Sequence, residues 1–182
     1  IDMAATDLDR DGQLEVLVAS RDAGTVSSVS VSPDRRAEVD VLPEISLPSM
    51  SSIAVGDLNA DGEVEIVLAS ETDDQLAIWS AIEGSGGGAF SLLVARETGS
   101  APSDIALGEL NGDGWLDVAV SIQDDATVEI YLGDPDSAFE AGPPMPSVAG
   151  ATRLTAADLD GDERLDLIVA SPTAPGAESV AL

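Results

Sequence analysis

Four nine-residue stretches hold the residues best placed to do chemistry. They read Asp7-Leu-Asp9-Arg-Asp11-Gly12-Gln13-Leu-Glu15, Asp57-Leu-Asn59-Ala-Asp61-Gly62-Glu63-Val-Glu65, Glu109-Leu-Asn111-Gly-Asp113-Gly114-Trp115-Leu-Asp117 and Asp158-Leu-Asp160-Gly-Asp162-Glu163-Arg164-Leu-Asp166. Each sets oxygen-bearing side chains at positions 1, 3, 5 and 9. When a chain curls tightly, alternate carboxylates converge on one point. That suits a calcium ion, which takes about 6–8 hard oxygen ligands in a flexible cage. Glycine at position 6 supplies the positive φ of such a curl. Position 7 offers its backbone carbonyl, and the acid at position 9 closes the cage from the start of the next strand. The fourth copy has Glu163 in place of the glycine, so its site is expected to be weaker or distorted.

Ordinary turn chemistry competes with this, since Asp and Asn also hydrogen-bond their own backbone. Charge crowding separates the two. Positions 1, 3, 5 and 9 of the loops hold four, three, three and four carboxylates, fourteen of the 35 acidic residues. Three or four like charges within a few ångströms cost several kcal/mol unless a cation is present. A turn gains nothing from that. Magnesium fits less well, because it dehydrates reluctantly and favours one or two carboxylates plus water. An EF-hand is excluded: it needs flanking helices and a bidentate acid at position 12, where this chain has Val18, Leu68, Val120 and Val169.

These loops must be positioned by short elements that repeat with them. First positions lie 50, 52 and 49 residues apart. Before the loops stand Met3–Thr6, Ile53–Gly56, Ile105–Gly108 and Leu154–Ala157. After them come Val16–Ser20, Ile66–Ser70, Val118–Ser121 and Leu167–Ser171. Such β-branched or apolar runs, too short for helices and ended by polar turns, predict buried strands. A third strand is expected at Thr25–Val31, Gln75–Ser80, Thr127–Leu132 and Ser179–Leu182. A more variable fourth is expected at Glu38–Leu42, Phe90–Arg96 and around Phe139. Four short strands per unit of about 40–50 residues is the signature of a β-propeller blade. The expected fold is therefore all-β, one propeller domain or fragment with repeats at about 1–50, 51–102, 103–150 and 151–182. The last blade reads as incomplete. The units are expected to form part of a larger propeller, the alternative being a closed four-bladed ring.

Composition narrows function further. The 182 residues carry 35 acids against 7 arginines, a net charge of −28, with no Lys, His or Cys. Nucleic acid and anionic membrane surfaces would repel such a polyanion, and no apolar run is long enough to insert in a membrane. A hydrophobic fraction of 44% argues against an acidic disordered tail. Disulfides and zinc–thiolate or zinc–imidazole sites are excluded.

The loops with their flanking strands resemble the calcium-binding repeats of FG-GAP and VCBS-type β-propellers, as in the integrin α-subunit head and many secreted bacterial proteins. The similarity runs over nearly the whole chain. It implies Asp7, Asp9, Asp11 and Glu15 as side-chain ligands, with the carbonyl of Gln13. In the second loop it implies Asp57, Asn59, Asp61 and Glu65 with the Glu63 carbonyl, and in the third Glu109, Asn111, Asp113 and Asp117 with that of Trp115. In the fourth it implies Asp158, Asp160, Asp162 and Asp166 with that of Arg164. It thus implies up to four Ca²⁺, one per repeat. No Phe-Gly pair precedes the loops, and Gly99-Ser-Ala-Pro102 is the nearest approach to Gly-Ala-Pro. The likeness is therefore to the bacterial VCBS type, without integrin-like ligand specificity.

An enzymatic role is not expected, because the usual general bases and activated nucleophiles are missing and most clustered carboxylates belong to the loops. The favoured function is a calcium-binding scaffold or protein-interaction and adhesion module. Scarce cytosolic calcium points to a secreted or cell-surface location. The alternatives are a carbohydrate-binding propeller, or the non-catalytic propeller part of a larger secreted enzyme or toxin. Sugar platforms rely on exposed rings, and the five aromatics are Trp79, Phe90, Trp115, Tyr131 and Phe139. Trp79 and Tyr131 occupy matching places in third strands and are expected in the core, whereas Trp115 either contacts a ligand or covers a neighbouring blade. An unidentified protein or glycan partner is expected. So is assembly with the rest of a ring, or self-association through open blade edges.

Overall fold

Each apolar run behind an acidic loop forms the second strand of an antiparallel sheet, and how far it is buried depends on its place in a stack of sheets. The computed structural model describes every residue except Pro33, Ser137, Glu163, 173–176 and 181–182, with 177–180 described by backbone alone. The first sheet is β1 (Asp2–Thr6), β2 (Glu15–Ser20), β3 (Thr25–Val31) and β4 (Ala37–Ser46), in chain order. The second is β5 (Met50–Gly56), β6 (Glu65–Ser70), β7 (Gln75–Ala81) and β8 (Phe90–Glu97). The third is β9 (Pro102–Gly108), β10 (Asp117–Ile122) and β11 (Thr127–Leu132), edged by two short pieces, β12 (Glu140–Ala141) and β13 (Met145–Pro146). The fourth is β14 (Arg153–Ala157), β15 (Asp166–Ala170) and β16 (Ala177–Val180). Among the described residues no helix is long and apolar enough to cross a membrane.

The expected strands are present, with three adjustments. The outer strand of the third unit is broken rather than continuous around Phe139. That residue adopts φ 45°, and Gly142-Pro143-Pro144 follows, where the prolines have no N–H to give the ladder. In the fourth unit the third strand starts at Ala177 rather than Ser179, and 181–182 lie outside the described residues. In the first unit the outer strand runs on to Ser46, with a shift of register between Thr25 and Val26.

Side chains alternate across each strand, giving every sheet two faces. Ile53, Ile66, Leu68 and Trp79 of the second sheet pack on Leu17, Ala19, Val26 and Leu42 of the first. Ile105, Val118, Val120 and Tyr131 of the third pack on Val67, Ala69, Leu76 and Ile78 of the second. Leu154, Leu167 and Val169 of the fourth pack on Ala106, Ala119, Val128 and Ile130 of the third. Three apolar seams therefore hold the sheets in sequence, at roughly 1.5–3 kcal/mol for each large side chain removed from water. Trp79 and Tyr131 are core residues, as expected. β6 and β10, covered on both faces, are buried at every position, whereas β2 alternates between buried and exposed or half-buried residues.

The stack does not close on itself. The face of the first sheet that matches Ile53, Val55, Ile66 and Leu68 carries Met3, Ala5, Val16 and Val18. Met3 there is 62% exposed, and Val39 of the same sheet is 63% exposed. In a closed four-bladed ring the fourth sheet would cover this surface. The alternative of a four-bladed ring is thus corrected: the described residues form an open arc of a larger propeller.

Neighbouring sheets are also tied by hydrogen bonds between their innermost strands. Asp2 Oδ2 accepts the Ile53 N–H (2.9 Å), Ser52 Oγ accepts that of Ile105 (3.3 Å) and Asp104 Oδ2 accepts that of Leu154 (2.8 Å). One residue earlier, the Ser51 hydroxyl donates to the Pro102 carbonyl and that of Ser103 to the Ala151 carbonyl.

Candidate metal centre

The four acidic loops connect the first and second strands of the four sheets, so the stacking sets them side by side along one face of the arc. Within each loop the side chains fold back onto the loop's own backbone in a repeated pattern. The position-3 side chain accepts the position-5 N–H: Asp9 from Asp11, Asn59 from Asp61, Asn111 from Asp113 and Asp160 from Asp162. The position-5 carboxylate accepts the position-7 N–H, from Gln13, Glu63, Trp115 and Arg164 respectively. Position 1 accepts from the far side of the curl: Asp7 from Gly12, Asp57 from Gly62, Glu109 from Asp113 and Asp158 from Gly161.

The acid at position 9, first residue of the second strand, closes each loop by accepting the N–H of the leucine at position 2. Glu15 takes Leu8 (2.8 Å), Glu65 takes Leu58 (2.8 Å), Asp117 takes Leu110 (2.9 Å) and Asp166 takes Leu159 (3.1 Å). Glu65 and Asp117 are fully buried. Burial pushes both carboxyls up from the ordinary range, and the other loop acids, Asp61 and Asp57 or Asp113 and Glu109, add to the effect. Hydrogen bonds from Leu58 and Ser80, and from Gly133 and Leu110, oppose it.

Two loops draw three acids together. Carboxylate oxygens of Asp7, Asp9 and Glu15 lie within 4.8 Å of one another, as do those of Asp158, Asp160 and Asp166. Asp11 stands outside the first group, its second oxygen taken by the Gln13 side-chain amide (2.8 Å), and Asp162 stands outside the second. In the middle loops asparagine fills position 3. There the Asn59 and Asn111 amides turn to Asp61 and Asp113 (3.0 and 2.8 Å). The fourth loop gathers its acids as closely as the first. The position-6 residue on which a distorted fourth site was expected, Glu163, lies outside the described residues. A cation fits this donor set: every donor is a hard oxygen, and Asp7 Oδ1 is buried with no hydrogen-bond partner.

One feature of the curl escaped sequence inspection. Position 4 is left-handed in all four loops, at Arg10 (φ 63°), Ala60 (58°), Gly112 (86°) and Gly161 (81°). Glycine at two of the four positions was the available signal. Arg10 Nη2 also reaches Glu63 Oε1 at 3.1 Å, tying the first loop to the second. Trp115 is half-buried.

Stacked antiparallel sheets with an acidic loop at a fixed place in each define a propeller-like scaffold. Residues 57–120 and 109–169 match the model of the FG-GAP-like repeat, and the chain belongs to that family. The first repeat lies outside the matched residues, yet its loop makes the same bonds. No curated protein matches the chain. Among solved structures it resembles a protein from Lactobacillus plantarum, at 22% identity and TM-score 0.65 over 98% of this chain and 50% of the other. It also resembles a protein of Bacteroides uniformis provisionally named a 6-phosphogluconolactonase, at 12% identity and TM-score 0.65 over 98% of this chain and 49% of the other. At these identities the likeness shows the fold alone. The chain spans about half the length of each.

Proposed function

We propose that this chain is a calcium-stabilised propeller arc acting as a secreted or cell-surface interaction scaffold. The observation that carries the proposal is the buried, unpartnered Asp7 Oδ1 within a cluster of three carboxylates. Among the described loop oxygens it is the one that is buried and yet has no hydrogen-bond partner. In each repeat the side chains at positions 1, 3, 5 and 9 and the carbonyl at position 7 would hold Ca²⁺, up to four ions in all. The ion would cancel the repulsion among the loop acids and fix the two inner strands of its sheet. Four ions would leave a net charge of −20 from the −28 of the bare chain. The surface would stay acidic, which suits a partner other than nucleic acid or an anionic membrane.

A sugar-binding role is less well supported, because Trp79 and Tyr131 are buried in the seams and Trp115 is half-buried. Calcium titration of chelator-treated protein by calorimetry tests the proposal. Saturable binding of up to four ions with a rise in melting temperature is expected. No binding at millimolar calcium would return the loops to ordinary turns.

A further inference from the structure

The seams between sheets are closed on their outer side by phenylalanine rings, and one seam lacks its ring. Phe90, at the head of β8, is 3% exposed and shares the first core with Leu8. Phe139, just before β12, is fully buried and shares the second core with Leu58 and Ile78. The two are equivalent in register. Phe90 pairs with Ala81, two residues past Trp79; Phe139 precedes Glu140, which pairs with Leu132, the residue after Tyr131. Leu8 and Leu58 are the position-2 leucines of their loops, and Leu110 is the next in that series. At Leu110 the third seam has no ring. Instead Leu110, Ile130, Leu132, Pro143 and Met145 line an apolar cavity of about 240 Å³. A dry cavity of about 150 Å³ takes up benzene, so this one has room for a phenyl group.

A strand edge lies alongside. β3 is paired by β4, and β7 by β8, along the whole outer flank, whereas β16 is paired only with β15 among the described residues. Val180 pairs with Leu167 as Trp79 does with Ile66 and Tyr131 with Val118. A strand added outside β16 would therefore bring its first residue to the third seam.

We infer that this cavity takes an aromatic side chain at the head of a strand added antiparallel to β16, supplied by polypeptide outside these 182 residues. A second copy of the chain does not meet the need. It has two phenylalanines, both already buried, and two copies at −28 each repel. The cavity also continues the third seam, since Leu110, Leu132 and Met145 pack against that core.

The test uses the full chain and a peptide copying residues 88–97, the Phe90-bearing outer strand of the second sheet, beside the same peptide with Phe90→Ala. The chain has three methionines, and they report separately: Met3 is exposed on the first sheet, Met50 is buried and Met145 lines the cavity. With ¹³C-methyl methionine, and Met145→Leu to assign the signal, the phenylalanine peptide is expected to move the Met145 resonance and leave the other two. The alanine peptide is expected to bind at least roughly tenfold more weakly, the loss of one buried ring. No Met145 shift at millimolar peptide, equal binding of both peptides, or a shift of Met3 instead would overturn the inference. None of these outcomes bears on calcium in the loops.

Discussion

The Ser52 hydroxyl of the second sheet lies 3.0 Å from Asp104 Oδ1 of the third. It also lies 2.9 Å from Asp2 Oδ2 of the first. A hydroxyl has one hydrogen, so it can serve only one of the two carboxylates at a time. Burial raises the Asp104 carboxyl, against hydrogen bonds from Leu154, Ser52 and Ile105 and the charge of Arg153. Its neutral form can donate to Ser52 and complete the relay.

Removing that hydroxyl should loosen two seams at once. Ser52→Ala is expected to cost about 1–3 kcal/mol, the penalty for leaving buried polar groups without their partner. Asp104→Asn, which keeps an acceptor for Leu154, should cost less. Urea denaturation of both variants checks the order, and an equal or reversed ranking would count against the relay.

Calcium should stabilise the fold site by site. An ion bound at a hundredfold excess over its dissociation constant adds about 2.7 kcal/mol. Chelation is therefore expected to lower the melting temperature sharply. Asp7→Asn keeps an oxygen for the Gly12 N–H but removes a charge, and should reduce the calorimetric stoichiometry by one. Unchanged stoichiometry would remove Asp7 from the ligand set.

In excess chelator the stability of the fold should rise as pH falls towards the ordinary carboxylate range. Glu65, Asp104 and Asp117 are all raised from ordinary values of 4.5, 3.8 and 3.8, chiefly by burial. The folded chain thus holds protons that the unfolded chain has released. The stabilisation is full below the ordinary values and is lost as pH climbs through the raised ones. With calcium present the trend should reverse, because protons compete for the same oxygens. Melting curves across this range, with and without chelator, provide the measurement.

Backbone strain at position 4 gives a stabilising substitution. Ala60 sits at φ 58°, where a residue with a Cβ bears roughly 1–2 kcal/mol. Glycine removes that cost but gives back about 0.5–1 kcal/mol through the freer unfolded chain. Ala60→Gly is therefore expected to raise stability by about 0.5–1 kcal/mol, read from denaturant midpoints at constant slope.

The parts of this structure written in the sequence are those set by local spacing. Val16–Ser20 and its three counterparts announce strands by composition, and the acids at positions 1, 3, 5 and 9 announce a curled loop. Contacts about fifty residues apart left fainter marks. Asp2, Ser52 and Asp104 share one register position, but the serine between the two aspartates and Arg153 after them break the pattern, so the common task of accepting an N–H from the next sheet does not appear as a motif. Phe139 was expected within a strand. It acts instead as a seam plug, because the neighbouring prolines interrupt the ladder and free its backbone to turn. The left-handed fourth position was partly hidden because Arg10 and Ala60 occupy it without glycine.

The three backbone-amide bonds between innermost strands run in one direction, the side chains of Asp2, Ser52 and Asp104 each receiving an amide hydrogen from the next sheet. Arg153 holds the register position of Asp104 in the last sheet, and a guanidinium only donates. The polarity of the joint therefore inverts there. Any surface laid against that face must present an oxygen at the point where every earlier neighbour presented nitrogen.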